Sequence, residues 1–140
     1  MSKISASALA ESLELLARTL HARGYAEELF PAQWTALRYF ARTPPPRCTA
    51  SDLARFQGLA NGPVSRTVRT LIHKGLLAKA ATQPRGRAEV LEVTVTGLAM
   101  LEIDPTLAVQ AAIDAVDEPD REALARTLQA LLDRLCAAPR

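Results

Sequence analysis

The stretch Thr49–Thr96 reads TASDLARFQGLANGPVSRTVRTLIHKGLLAKAATQPRGRAEVLEVTVT. Thr49 stands three residues before Asp52, the spacing of a capping box with Asp in place of the usual Glu or Gln. The Thr49 hydroxyl is then expected to accept from the Asp52 amide, with the carboxylate against the positive end of the helix dipole. Leu53, Ala54, Phe56 and Gln57 carry that helix to Gly58, which can turn the chain out through positive φ. Small Ala54 lets a second helix cross closely, as in a helix-turn-helix. The second helix is expected to start at Asn61-Gly62-Pro63, with Asn61 as N-cap and Pro63 in the first turn, where a missing N–H costs nothing. Val64, Val68, Leu71 and Ile72 recur at helical spacing on one face, and Gly75 ends the helix. Strands are expected over 76–80 and 90–94, because Val90, Leu91 and Val93 are β-formers. Thr82-Gln83-Pro84-Arg85-Gly86-Arg87 is the loop between them.

Ser65, Arg66, Arg69 and His73 lie opposite the apolar face of the second helix, and no acid occurs between Asn61 and Lys79. Arg can reach guanine O6/N7, and Ser can bond base edges or phosphates. An Arg-Gly-Arg hairpin tip can enter a minor groove or hold phosphates. The residue types therefore point to double-stranded DNA. Ser65, Arg66 and Arg69 are expected in the major groove. Thr49 and Ser51 are expected to hold the backbone beside it, Asn61 and Pro63 belong to the same DNA-binding set, and Arg85 and Arg87 are expected in the neighbouring minor groove or at its phosphates. A winged-helix module that binds proteins alone is the alternative, and a basic stripe disfavours it.

Outward from this stretch, 140 residues suit one chain-length domain with helical arms. Apolar residues make up 49% and aromatic ones only 4%, so the core is built of Leu, Ala and Val. The net charge is only +2, but its distribution is uneven. Asn61–Glu89 holds six Arg or Lys and one acid, whereas Leu98–Pro139 holds three Arg and eight acids. A basic middle and an acidic end suit one face on DNA and another kept off it. Cys48 and Cys136, far apart, make neither a disulfide framework nor a zinc site. No phosphate-binding glycine loop, catalytic serine motif or partnered histidine appears, so no cofactor, metal or enzymatic activity is expected. With no secretory signal and no membrane-spanning run, the cytoplasm is the expected compartment.

Helices are also expected over 4–22, with Leu9, Leu13, Leu16 and Leu20 in one stripe and Ser5 or Ser7 as cap, and over 32–41. Another should run over 98–116, kinked at Pro105. The last should follow Asp117-Glu118-Pro119, with Leu124, Leu128, Leu131, Leu132 and Leu135 in a stripe. The end stripes are too apolar for arms in water, and pairing with a second copy would bury them, so a homodimer is expected. The organisation is a winged helix-turn-helix over 30–96 and a helical dimerisation part over 4–24 and 97–137. The fold class is mainly α with a small β-hairpin (α+β).

The ordered set resembles the MarR family of winged helix-turn-helix transcriptional regulators. The matching pieces are Pro31-Ala32-Gln33-Trp34-Thr35-Ala36-Leu37, Thr49-Ala50-Ser51-Asp52-Leu53-Ala54, Val64-Ser65-Arg66-Thr67-Val68, Leu71-Ile72-His73-Lys74-Gly75-Leu76-Leu77 and Thr94-Val95-Thr96-Gly97. The wing departs from the family pattern: Gln83 stands for the usual Asp and Gly86 for an acid, which removes a carboxylate able to hold a wing arginine. The resemblance implies a dimer built from the first and last helices and a repressor of palindromic operators. It also implies release by a small aromatic or phenolic effector, for which Trp34 and Tyr25 are the candidate lining residues. Some members sense oxidants. Arg47 and a helix N-terminus beside Cys48 are of the kind that lower a thiol pKa, which makes Cys48 or Cys136 the candidate for a redox-sensing alternative.

Overall fold

A computed structural model describes residues 4–86 and 88–137. The described chain holds seven α-helices and one antiparallel hairpin. It divides into two compact units, residues 1–105 and 106–140.

The first unit begins with α1 (Ala6–Arg23), which buries no residue. Ser5 rather than Ser7 is its cap, its hydroxyl accepting from the Ala8 amide at 3.1 Å. A tight turn follows in which Glu27 and Glu28 both have positive φ, and the short bridge Ala26–Leu29 closes it. Leu29 is buried beneath this turn. Helix α2 (Pro31–Arg42) buries Trp34, Ala36, Leu37, Tyr39 and Phe40. The Phe30 amide donates to Gln33 Oε1 at its start.

A 3-10 turn over Pro45–Arg47 leads to α3 (Ala50–Gln57). The cap forms as expected: the Asp52 amide donates to Thr49 Oγ1 at 3.1 Å, and the hydroxyl donates to Asp52 Oδ2 at 2.8 Å. Gly58 leaves the helix in the left-handed region, at φ 64°. Leu53 and Ala54 are buried between α3 and α4 (Asn61–His73), whose Val64, Val68 and Leu71 complete the same core. The expected Asn61 cap does not form. Ala60 takes the extended cap position, so Asn61 is already helical and no side chain caps α4.

β1 (Leu77–Lys79) pairs with β2 (Leu91–Val93), Ala78 opposite Glu92. Each strand is one residue shorter at both ends than the β-former pattern suggests. The missing residues serve the junctions. Leu76 N–H closes α4 on the Leu71 carbonyl, and the Thr94 hydroxyl caps α5 (Val95–Leu101) by accepting from Gly97 N–H at 3.0 Å. That hydroxyl donates to the Gly75 carbonyl, so α5 is bolted to the end of α4. Gly97 is obligatory here, since a Cβ would collide with the Leu76 carbonyl.

The single kinked helix expected over 98–116 is two helices. α5 ends at Leu101, and α6 (Thr106–Asp114) begins in the second unit after Pro105. Proline lacks the amide that would continue the ladder, and here the break is complete. In the first unit, Arg38 Nε donates to Asp104 Oδ2 at 2.7 Å, tying α2 to the turn after α5. Asp104 is only 6% exposed, and pairing is what makes a carboxylate tolerable there.

The second unit consists of α6 and α7 (Glu118–Ala137), neither of which buries a residue. Arg121 reaches Asp114 at 3.5 Å across their junction. Among the described residues, no helix is long and apolar enough to cross a membrane.

Candidate nucleic-acid interface

The outer face of α4 carries Asn61, Pro63, Arg66 and Arg69 in solvent, with Ser65 half-buried beside them. The apolar residues three and four positions away are pulled into the core, which turns the basic stripe outward. Neither Arg66 nor Arg69 is ion-paired among the described residues. The neighbouring hydroxyls are already engaged: Thr67 Oγ1 donates to the Pro63 carbonyl and Thr70 Oγ1 to the Arg66 carbonyl. The first amides of α4 have no intrahelical partner and no side chain caps them, and the dipole makes that end attractive to phosphate.

Ser51 from α3, Ser65 and Arg69 from α4, and Lys79 and Glu89 from the base of the hairpin line one cleft of about 400 Å³. Residues far apart in sequence thus share one concave surface. Lys79 Nζ holds Glu89 Oε1 at 3.1 Å across the wing base. Glu89, the one acid of the basic segment, is therefore neutralised locally.

Thr49 differs from its sequence expectation as a backbone contact. It is only 6% exposed, and its hydroxyl is committed to Asp52 as both donor and acceptor. It shapes the interface by capping α3. Ser51, two residues on, is exposed.

Arg85 is exposed in the turn at the hairpin tip, next to Gly86 at φ 66°. Arg87 lies outside the described residues. The wing stays ordered at its base through Gln83, whose importance the sequence reading missed. Gln83 Nε2 donates to the Ala80 and Val90 carbonyls, and Val90 N–H donates to Gln83 Oε1, all at 2.8 Å. An Asp at this position has no N–H to offer these carbonyls. The substitution that removes a carboxylate from the wing thus supplies a clamp across it.

Trp34 is fully buried, and its Nε1–H donates to the Ala26 carbonyl at 3.2 Å. It is a core residue and not the lining of an open cleft, because its ring fills the space beneath the α1–α2 turn. Tyr25 is exposed and packs against the exposed Phe30, ring centroids 5.1 Å apart.

Cys48 also departs from expectation. It is buried, and its Sγ lies 3.2 Å from the Thr43 carbonyl. Burial pushes its thiol pKa up, and the opposing effect of Arg47 is smaller. The thiolate that a redox sensor needs is disfavoured at this site. Cys136 is exposed on α7. His21 and His73 are both solvent-exposed, and among the described residues no group of three His, Cys, Asp or Glu is arranged to hold a metal ion.

Residues 29–88 match the sequence model of the MarR family. No curated protein matches the chain in sequence. Among solved structures, the chain is similar to the S. aureus MepR–DNA complex, with a TM-score of 0.72 at 17% identity over 94% of this chain and 96% of that one. It is similar to a MarR/EmrR family transcriptional regulator from Acinetobacter sp. ADP1, with a TM-score of 0.72 at 18% identity over 96% and 100%. It is also similar to Streptococcus pneumoniae FabT in complex with DNA, with a TM-score of 0.75 at 15% identity over 94% and 97%. At these identities the likeness is one of fold.

Proposed function

We propose that this chain, whose residues 29–88 match the sequence model of the MarR family, is a sequence-specific DNA-binding transcriptional regulator acting as a twofold dimer. The observation that carries the reading is the pair Arg66 and Arg69. They stand exposed on α4 and, among the described residues, without ion pairs, beside Ser51 and Ser65, with Arg85 at the tip of the adjacent hairpin. Two of the solved structures of the same fold are of proteins in complex with DNA.

In this reading α4 enters the major groove. Arg66, Arg69 and Ser65 meet base edges or phosphates, and Ser51, Asn61 and Pro63 lie along the backbone. Arg85 and Arg87 reach the neighbouring minor groove or its phosphates. Thr49 contributes through the cap alone. The exposed stripe Leu9, Leu13, Leu16 and Leu20 on α1, and Leu124, Leu128, Leu132 and Leu135 on α7, pack against a second copy. Obligate dimers commonly bury more than about 2,000 Å² of such surface. A twofold protein reads a palindrome with half-sites about 10 base pairs apart or a multiple of that. Occupying such an operator represses the adjoining gene, and a cytoplasmic protein is implied.

Release by a small aromatic anion belongs to the same proposal. Trp34 is withdrawn from its site, and the exposed Tyr25–Phe30 pair remains as the aromatic surface. Linkage requires that an effector which weakens operator binding be weakened equally by the operator. Titrating aromatic acids against a protein–duplex complex checks this part, and no displacement by any of them removes it.

The main reading is tested on a duplex selected by the protein from a random-sequence pool. Arg66→Ala is expected to cost about 1–3 kcal/mol and to relax preference at one position of the site. Arg85→Ala is expected to lower affinity for all sequences alike and to flatten the salt dependence by about one unit. Parent-like titrations for both variants would contradict the site.

A further inference from the structure

A second cationic surface lies on the far side of α3 from α4. A cleft of about 440 Å³ there is lined by Arg42, Arg47 and Arg55 together with Tyr39, Asp52 and Phe56. Three guanidiniums face one carboxylate. Arg55 Nη1 reaches Asp52 Oδ1 at 3.0 Å, and Arg42 lies over the exposed Phe56 ring at 5.6 Å. Arg47 forms no ion pair among the described residues. The surface is continuous with the wing. A smaller cleft shares Asp52 and Arg55 and is bounded by Pro46, Ser51, Pro84 and Ala88. The arginine cleft at the end of α2 therefore adjoins, through Arg55 and Asp52, a smaller cleft that reaches the wing.

We infer that Arg47 and Arg55, with Arg42 behind them, bind phosphates of the duplex beyond the half-site read by α4. The inference rests on the DNA-binding reading above. The first helix of a helix-turn-helix crosses the DNA backbone, and α3 is that helix. Its outward residue Arg55 borders both clefts. A guanidinium offers a planar fork of donors that matches phosphate.

The degree of exposure selects the partner. The Arg55 side chain is 78% exposed, and an open, hydrated guanidinium gains little from one small anion. A duplex presents phosphates in series and releases counterions for each one neutralised. Asp52 stays at the cap. Its second oxygen is held by the Thr49 hydroxyl, so the carboxylate serves the cap while Arg55 swings to phosphate.

The test uses the full chain and a duplex that the parent selects from a random pool, long enough to extend a full turn beyond the protected region. The Arg47→Ala/Arg55→Ala double variant should lower the slope of log K against log salt by about 3–4 units, at roughly 0.9 for each of four lost contacts per dimer. Its hydroxyl-radical footprint should shrink at both outer edges while the centre is unchanged. The Arg47→Lys/Arg55→Lys variant should keep most of the slope, because it keeps the charge. A double alanine variant with the parent's slope and footprint overturns the inference and leaves the regulator reading standing. Failure of the parent to select any duplex overturns that reading instead, and this inference with it. Stabilisation by inorganic phosphate that the double variant loses, with no change of slope, makes the cleft a small-anion site and also overturns the proposal.

Discussion

Leucines meet two different fates in this chain. In the winged part, Leu29, Leu37, Leu53, Leu71 and Leu77 are almost completely buried around Trp34. In α1 and α7, Leu9, Leu13, Leu16, Leu20, Leu124, Leu128, Leu132 and Leu135 remain 39–74% exposed. On α4, Val64, Val68 and Leu71 recur at the same helical spacing and are buried, so periodicity cannot be what decides burial. Within the winged part, helices meet at angles set by short turns, and each apolar face finds another. The end helices have equally good stripes, yet each stays open within its own unit. Burying a Leu side chain is worth about 1.5–3 kcal/mol, so faces this size are strong drivers of association. The winged part is stabilised from within, whereas the end stripes are the faces that the proposed homodimer would cover.

The largest expected effect tests the first half of this contrast. Trp34→Ala should destabilise the protein by about 3–5 kcal/mol in urea unfolding, since it opens a cavity in a close-packed core. A cost below about 1 kcal/mol would mean the core does not depend on that ring. The next tests the second half. Leu13→Glu with Leu128→Glu should yield a monomer by sedimentation, with tryptophan fluorescence unchanged. Losing the linked second half-site should weaken duplex binding by about 100-fold. A dimer that persists would show that α1 and α7 are not its interface.

A smaller effect probes how the wing is held. Gln83→Ala removes three hydrogen bonds at the hairpin base, and the local cost should be about 1–2 kcal/mol. Amide exchange at Val90 should speed up while that at Leu71 does not. Equal rates in the parent and the variant would remove Gln83 from its role.

The smallest concerns Cys48. Its folded pKa is raised above 9.0, so between the unfolded and folded values the unfolded chain has lost a proton that the folded chain keeps. Stability must fall as pH rises through that window and be unaffected below it. Tyr39, raised above 10.0 chiefly by burial, adds to the fall at still higher pH. Cys48→Ala should remove the earlier part of the decline. An identical pH profile for the variant would show that the thiol does not titrate as its burial implies.

Much of this was legible beforehand where the controlling interactions are local. The Thr49–Asp52 cap, the left-handed Gly58, the buried face of α4 and the outward Arg66 and Arg69 all depend on residues within one or two turns. The sequence pattern places the start of α4 one residue late, because Asn61 is a good cap only if the chain is extended there, and Ala60 takes that conformation instead. Gln83 was read as a loss because its partners, Ala80 and Val90, meet only when the hairpin closes. The arginine cleft escaped notice because Arg42, Arg47 and Arg55 are separated by a proline turn and a helix start, which no single helical period spans.

The sequence by itself determined the order of the helix-turn-helix and hairpin, the Thr49 cap of α3, and the sign of the charge on the exposed face of α4, because hydrogen bonds and side-chain spacing within a turn suffice for these. Only the tertiary structure decided that Trp34 belongs to the core, that Thr49 is turned inward, that Cys48 holds its proton and that three arginines share one cleft. Each of those depends on segments remote in the chain coming within a few ångströms. That proximity changes solvation, and solvation is what sets burial, pKa and the availability of a charge.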